Sequence, residues 1–216
     1  MTINMLKEWI NELGVAGKTV VLKNSSKRIA LILSSITCRN INLKCRRNAI
    51  IHDNYLGLIR FLEECKCEYE IAGSPCDTDI LISREFPMKK ICGRPRLVIV
   101  GRALGFHDYN RIDFVFFTRT VIPNQYVVEI NNIKFLVRTS KCSINPVVLS
   151  DEEKKLLRQI RASLEENGYP DRETILLIIE SFYNVGRSQA RHIMYEMAEK
   201  GLLVMSKNYI EIPYFE

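Results

Sequence analysis

The stretch VGRSQARHIMYEMAEKGLL, residues 185–203, decides how the end of this chain folds. Its apolar residues recur at helical spacing and predict a helix over residues 187–200. They are Ala190, Ile193, Met194 and Met197. Gly201 follows at the position where helices commonly end in a left-handed residue. The other side of this helix keeps cationic, polar and aromatic side chains, which are residue types suited to a nucleic-acid groove.

Two further helices are predicted upstream of this stretch. Ser150-Asp-Glu-Glu153 is a capping box, and the apolar helical pattern behind it ends at Asn167-Gly168. Asp171 caps a second apolar run, which ends at Asn184-Val185-Gly186. The short glycine-containing segment between the second and third helices predicts a tight turn.

Two short strands are predicted after the third helix, at residues 202–205 and 209–212. This order resembles a winged helix-turn-helix. Residues 185–203 resemble the turn, recognition helix and E-K-G-L-hydrophobic exit of winged-helix transcription regulators of bacteria and archaea. The resemblance implies a C-terminal domain, residues 147–216, that reads duplex DNA through its third helix. The residues expected to contact DNA are Arg187, Ser188, Gln189, Arg191, His192, Tyr195 and Lys207.

Charge is distributed unevenly along the chain. Residues 151–216 carry a net charge of −3, whereas residues 1–150 carry +9. Because neutralising phosphates supplies much of the affinity for DNA, an acidic reader must concentrate its cations on one face or use those of the other domain. The alternative is that the third helix docks another protein, as winged helices do in replication and transcription machinery.

The basic residues upstream form clusters that predict a phosphate-binding surface on the N-terminal domain. They lie at residues 39–47, at residues 89–102, and around Lys134, Arg138 and Lys141. The phosphate contacts are expected from Lys89, Lys90, Arg94, Arg96 and Arg102. A solvated charged face is the plainer interpretation of such runs.

The first 146 residues predict a strand-rich mixed α/β domain, so the whole chain is expected to be α+β with two domains, 1–146 and 147–216. Apolar runs at residues 19–22, 29–33, 41–43 and 49–51 predict an antiparallel meander after a short first helix. A helix is predicted at residues 54–65, and further strands are predicted at 68–71, 80–82, 97–100, 112–117, 126–130 and 133–137. Asn131-Asn132 predicts a hairpin turn, and Ser143 to Pro146 predicts a linker.

A metal-dependent enzyme is the competing class. Residues 54–102 resemble the helix, strand, Gly-Ser turn and aspartate-bearing strand of PD-(D/E)XK nucleases, which implies a divalent metal near Asp79. The next strand, residues 97–102, lacks the glutamate and lysine of that family.

Gly73-Ser74 with later aspartates also resembles a nucleotidyltransferase, in which carboxylates bind magnesium. Only two residues separate Gly73-Ser74 from Asp77, whereas that family has a longer spacer. The candidate catalytic residues of the enzyme alternative are Asp77, Asp79 and Asp113, with Mg as cofactor. A polar turn capped by Asp77 is the plainer interpretation of this segment.

The seven cysteines are scattered and odd in number, which predicts mostly reduced, buried thiols. The spacing of Cys65, Cys67, Cys76 and Cys92 matches no familiar zinc motif, so no metal is expected. The longest apolar stretch, residues 29–37, is too short to cross a bilayer, and a cytoplasmic protein is expected.

The sequence as a whole predicts a DNA-binding protein, most simply a transcriptional regulator without a cofactor. In this interpretation the basic domain adds phosphate contacts, forms a homodimer or binds a protein partner.

Overall fold

A computed structural model describes residues 2–15, 19–23, 26–52, 57–74, 77–83, 96–100, 112–167, 171–205 and 210–215. The described chain is mixed α+β. Its helices are α1 (Thr2–Glu12), α2 (Lys27–Cys45), α3 (Leu58–Glu64), α4 (Asp151–Asn167), α5 (Arg172–Tyr183) and α6 (Arg187–Glu199). Its strands are β1 (Thr19–Lys23), β2 (Ala49–His52), β3 (Tyr69–Ile71), β4 (Ile80–Ser83), β5 (Leu97–Val100), β6 (Ile112–Arg119), β7 (Gln125–Ile130), β8 (Ile133–Thr139), β9 (Ile144–Pro146), β10 (Val204–Met205) and β11 (Ile210–Glu211).

The chain divides into two compact units, and each unit is built from three separate stretches of sequence. The first unit comprises Met1–Phe117, Glu129–Asn132 and Thr139–Ile144. The second unit comprises Thr118–Val128, Ile133–Arg138 and Asn145–Glu216. The second unit therefore contains most of β7 and β8 as well as the C-terminal helices.

Helix α2 corrects the predicted antiparallel meander. The runs 29–33 and 41–43, predicted as strands, both lie inside this helix. Ser26 caps its start, because the Ser26 hydroxyl accepts a hydrogen bond from the Ile29 amide at 3.4 Å. Ile29, Ile32, Leu33 and Ile36 recur at helical spacing and are all buried. Burial of this helical face outweighs the strand preference of the individual isoleucines.

The sheet of the first unit is parallel where register is defined. Its strands follow the order β3-β2-β4-β5-β1-β6, and each neighbouring pair runs parallel. The central strands are almost continuously apolar, as expected when both faces of a parallel sheet are covered. Their buried residues include Val20, Val21, Leu22, Ile80, Leu81, Leu97, Val98 and Ile99. The order continues β6-β7-β8-β9, in strands that contribute residues to both units.

The connection between β7 and β8 is the predicted hairpin turn. Asn131 and Asn132 have φ angles of 50° and 65°, the left-handed conformation that two-residue hairpin turns require. The segment Ser143 to Pro146, predicted as a linker, instead contains strand β9.

The core of the second unit joins β7 and β8 to helices α4, α5 and α6. Val127 and Leu136 are buried in the same cluster as Leu157, Ile179 and Met194. Backbone hydrogen bonds also join these strands to the C-terminal part of the unit, from the Val121 amide to the Glu199 carbonyl and from the Leu136 amide to the Tyr214 carbonyl.

The ends of the C-terminal helices follow the predicted caps. The Glu153 amide donates to the Ser150 hydroxyl at 3.2 Å, and the Ser150 amide donates to the Glu153 carboxylate at 2.9 Å. Asp171 accepts hydrogen bonds from the Thr174 amide and hydroxyl, which lower the pKa of Asp171. Gly201 has a φ of 75°, and a Cβ there would lie 2.7 Å from the Thr120 Cγ2 atom. Only glycine fits that position without strain.

Cys65 and Cys142 form a disulfide bond, which the sequence did not predict. Among the other described cysteines, Cys38, Cys45 and Cys67 are free thiols. No helix within the described ranges has the length and hydropathy needed to cross a membrane.

Candidate nucleic-acid interface

Helices α5 and α6 are joined by a turn of three residues. Asn184 adopts a left-handed conformation with φ of 51°, which ends α5. The Val185 amide donates to the Glu180 carbonyl at 3.1 Å, and Gly186 then precedes α6 in extended conformation. A glycine-containing turn of this length between two packed helices is typical of a helix-turn-helix.

The outward face of α6 contains the side chains predicted to contact DNA. Ala190, Met194 and Met197 point into the core of the unit, and Ile193 is half-buried. The exposed residues of the predicted set are Arg187, Ser188, Gln189, Arg191, His192 and Tyr195. The seventh member, Lys207, lies outside the described residues. The structure therefore gathers six of the seven predicted residues on one helix and leaves their side chains accessible.

The first turn of α6 has the backbone features of an anion site, but the carboxylates of Glu173 and Glu180 pair with its Arg187. It contains no acidic residue, and Gly186, which precedes it, places no side chain over the helix start. A helix N-terminus carries a partial positive charge and unpaired amide groups, and both favour a phosphate.

Arg187 is already engaged by α5. Its guanidinium forms a salt bridge with Glu173 and lies 3.5 Å from the Glu180 carboxylate. The two glutamates lie seven residues apart, two helical turns, and so share one face of α5. Sequence inspection did not identify them. Arg187 therefore holds the start of α6 against α5, and its charge is offset within the unit.

The other charged groups of the face differ in their surroundings. His192 lies 3.3 Å from Glu196, one turn further along α6. Arg191 is exposed, and no described carboxylate forms a salt bridge with it. Arg191 is therefore the cation of this face best placed to contact a phosphate or a base edge.

The two-stranded ribbon β10–β11 follows α6. The strands pair antiparallel, with Val204 opposite Glu211 and Met205 opposite Ile210. Glu211 forms a salt bridge with Lys134 of strand β8, within the same unit.

Of the predicted phosphate-contacting residues, the structure describes Arg96 alone. Lys89, Lys90, Arg94 and Arg102 lie outside the described residues. The Arg96 Nε atom lies 3.4 Å from Asp79, and its Nη1 atom donates to the Gly14 carbonyl. Much of the Arg96 guanidinium is thus used within the first unit, and its side chain is only 26% exposed.

Asp79 is also the acceptor for Arg47, which belongs to the predicted basic cluster at residues 39–47; the sequence did not predict this pairing. Arg47 donates to the Asp79 Oδ1 atom at 2.7 Å, and this hydrogen bond raises the pKa of Arg47. The Ile50 amide donates to the Asp79 Oδ2 atom at 3.0 Å. Asp79, Arg47 and Arg96 all precede strands of the parallel sheet and meet at its amino edge, whereas ligands of open parallel sheets usually bind at the carboxyl edge.

The three candidate catalytic aspartates have different surroundings. Asp79 is buried beneath its arginines, and Asp77 is exposed. Asp113 accepts a hydrogen bond from the Asn131 side chain at 3.2 Å. Within the described ranges no group of three or more His, Cys, Asp or Glu residues is arranged to hold a metal. Asp77, Asp79 and Asp113 therefore do not form such a group.

A scan against models of protein families found no match to this chain, and a search of curated proteins found none either.

Proposed function

We propose that the C-terminal part of the second unit is a winged helix-turn-helix and that α6 reads duplex DNA. The observation that carries this proposal is the exposed, polar and aromatic face of α6, which follows a three-residue turn from α5 and precedes a two-stranded ribbon. The proposed use is transcriptional control.

The arrangement supports distinct roles for the two arginines of α6. Arg191 would contact DNA directly, because it is exposed and unpaired by any described carboxylate. Arg187 would instead position the helix, because Glu173 and Glu180 hold it against α5. Ser188, Gln189 and Tyr195 supply donors, acceptors and an aromatic surface for base edges and sugars.

The first unit would add sequence-independent affinity. The residues of the first unit include 19 Lys and Arg against 13 Asp and Glu, a net charge of +6, and cations at this density attract phosphates over several ångströms. Such long-range attraction compensates for the net charge of −3 on residues 151–216.

Fluorescence anisotropy with labelled duplex DNA tests the proposal. Arg191→Ala should weaken binding by about 1–3 kcal/mol and reduce the slope of log affinity against log salt by about 1. Arg158→Ala, which removes an exposed arginine from α4, is the matched control and should change affinity little. Arg187→Ala should lower thermal stability together with affinity, because it removes the salt bridges between α6 and two glutamates of α5.

If the full chain does not bind duplex DNA at low salt, or if Arg191→Ala and Arg158→Ala are equivalent, the DNA proposal is wrong. The second candidate, a protein-docking winged helix, is favoured by the ion pairs that neutralise Arg187 and by the exposed apolar surfaces of Leu177 and Tyr195. In that case Tyr195→Ala should disrupt a protein complex while leaving the fold intact.

A further inference from the structure

A disulfide bond fastens an exposed turn to the end of helix α3. Cys65, which ends α3, is bonded to Cys142, which follows β8, and 77 positions separate the two residues in sequence. Cys142 belongs to a tight turn, in which the Ser140 amide donates to the Ser143 carbonyl at 2.9 Å. We call residues 139–144 the latched turn. The bond therefore joins a helix end to a locally folded segment from a distant part of the chain.

The latched turn lies where the chain leaves one unit and returns to it. Thr139–Ile144 belongs to the first unit, as α3 does. The residues on either side, Ile133–Arg138 and Asn145–Glu216, belong to the second unit. The disulfide therefore lies wholly within the first unit and fixes a short segment of it that both neighbours in sequence leave.

Two non-covalent contacts also hold the latched turn. The Lys141 ammonium lies 2.8 Å from the Glu64 carboxylate, and the Arg39 guanidinium of α2 donates to the Cys142 carbonyl. The Lys141 and Glu64 side chains are 63% and 37% exposed, and salt bridges at such positions contribute little to stability. The disulfide is therefore the strongest of these three links, and its loss should free the turn.

The end of α3 has hydrogen bonds of its own. The Cys65 amide donates to the Phe61 carbonyl at 3.0 Å, and the Cys67 amide donates to the Leu62 carbonyl at 3.0 Å. The Leu62 side chain is fully buried. These contacts do not involve the bond to Cys142, so α3 should stay folded when that bond is broken.

The two bonded cysteines differ in their access to solvent. Cys65 is 7% exposed, whereas Cys142 is half-buried and lies beside the exposed Lys141. A small thiol can therefore reach Cys142 more readily than Cys65. Exposed disulfides are among those that thiols reduce most readily, whereas structural disulfides resist reduction.

We propose that the Cys65–Cys142 disulfide is a reversible redox latch that small thiols open in the folded protein. In the first step the thiolate of a small thiol bonds to the Cys142 sulfur, the Cys65–Cys142 bond breaks, and Cys65 leaves as a thiolate. In the second step a second thiolate bonds to the sulfur of the first small molecule, and Cys142 leaves as a thiolate. Both cysteines take up the protons that the two small thiols lost.

The two steps reduce the protein disulfide to two thiols and oxidise two small thiols to one disulfide, so the electrons balance. A small disulfide closes the latch by the reverse steps. Opening the latch releases residues 139–144 from α3, and β8 and β9 are then connected by a turn without a covalent tether. The device does not depend on DNA binding, because its bonds lie within the first unit.

Incubation of the full chain with 2-mercaptoethanol tests whether the latch opens in the folded state. Alkylation and mass spectrometry of digests follow the two cysteines. Cys65 and Cys142 should both become alkylated within minutes to hours, the usual time for exchange of accessible disulfides. The rate should rise with thiol concentration and stay unchanged in denaturant below the unfolding transition. Fluorescence of Trp9, on α1, should show that the first unit remains folded.

Hydrogen exchange measured by mass spectrometry tests what the latch controls. Residues 139–144 should exchange at least about tenfold faster in the reduced protein, because local opening then strains no covalent link. Strand β5, inside the sheet, should exchange equally in both forms. Cys142→Ser should match the reduced protein with or without thiol. Cys45→Ser, which removes a free cysteine of α2 outside the latch, is the matched control and should respond to thiol as the wild type does.

Reversibility is measured in the same protein. When the thiol is replaced by its disulfide, wild-type protein should regain the Cys65–Cys142 linkage together with slow exchange of residues 139–144.

Four results would overturn the proposal. The first is reduction that occurs only when denaturant unfolds the chain, which would make the bond a structural one. The second is equal exchange of residues 139–144 in the oxidised and reduced proteins. The third is reduced wild-type protein that no longer unfolds cooperatively, because the bond would then hold the fold itself. The fourth is reoxidation that pairs Cys65 or Cys142 with another cysteine.

Discussion

Replacing Asp79 with alanine should unfold the first unit much more readily, because Asp79 joins the starts of three neighbouring strands. Its carboxylate binds Arg47 before β2, Arg96 before β5 and the Ile50 amide within β2. The Asp79 side chain is 8% exposed, whereas Arg47 and Arg96 are 39% and 26% exposed. After the substitution, water can therefore hydrate the two arginines, but no other acceptor takes the place of the buried carboxylate.

The magnitude follows from the two best hydrogen bonds. Loss of the charged hydrogen bond to Arg47 costs about 1.5–3 kcal/mol, and an unsatisfied Ile50 amide costs about 1–3 kcal/mol. Because the arginines are partly hydrated, we expect Asp79→Ala to lower the free energy of unfolding by about 3 kcal/mol, in the lower half of the range that the two costs give together. Asp79→Asn should cost less, because its side-chain oxygen can still accept from Ile50.

Denaturant unfolding followed by fluorescence measures this loss. Trp9 is the single tryptophan of the chain and lies on α1, so its emission reports on the first unit. Asp77→Ala, at an exposed position, is the matched control and should stay within about 0.5 kcal/mol of the wild type. If Asp79→Ala unfolds at the same denaturant concentration as Asp77→Ala, Asp79 does not stabilise the sheet edge and the structural role assigned to it is wrong.

Two further outcomes are expected for the second unit. A fragment of residues 118–216 should melt cooperatively by circular dichroism, whereas a fragment of residues 146–216 should melt lower or without a transition; it lacks Val127 and Leu136, each worth about 1.5–3 kcal/mol of burial. Equal melting of the two fragments would show that the strands are dispensable. Asp171→Asn should reduce stability at neutral pH, and its difference from wild type should vanish as pH falls through the folded pKa of Asp171, which lies below its ordinary value. A difference that persists in acid would show that the charge of Asp171 is irrelevant.

The ends of the C-terminal helices could be predicted because their signals are local. A capping box at Ser150, a cap at Asp171 and a glycine at residue 201 each act through atoms within a few residues, so the sequence alone specifies them. The outward face of α6 could be predicted for the same reason, because helical periodicity determines which side chains are exposed once the apolar residues are buried.

The first unit was predicted less well because its order depends on distant residues. The isoleucine-rich runs of α2 have strand propensity in isolation, and only their burial as one helical face makes them helical. The parallel order places β1 between β5 and β6, although both of these strands lie far from β1 in sequence. Turn and cap signals say nothing about such pairings, so the predicted meander of neighbouring strands was wrong.

The sequence did not predict the contacts that join distant residues in the candidate sites. The ion pairs of Arg187 join two helices, and Asp79 meets Arg47 from 32 residues away. The Cys65–Cys142 bond spans 77 residues, so cysteine spacing gave no sign of it. A carboxylate in sequence can be a metal ligand, a cap or an arginine partner, and only the fold decides among them.

The glutamates of α5 have a consequence for recognition under the proposed function. Glu173 and Glu180 fix the start of α6 through Arg187, and in doing so they remove a positive charge from the face that would meet DNA. Affinity for any phosphate backbone falls as cations are neutralised, whereas contacts to base edges depend on how rigidly the helix is held. A DNA-binding domain built in this way would obtain little non-specific affinity for DNA from α6 itself. Its selectivity would come from Ser188, Gln189 and Arg191, and its general attraction to DNA from the basic first unit.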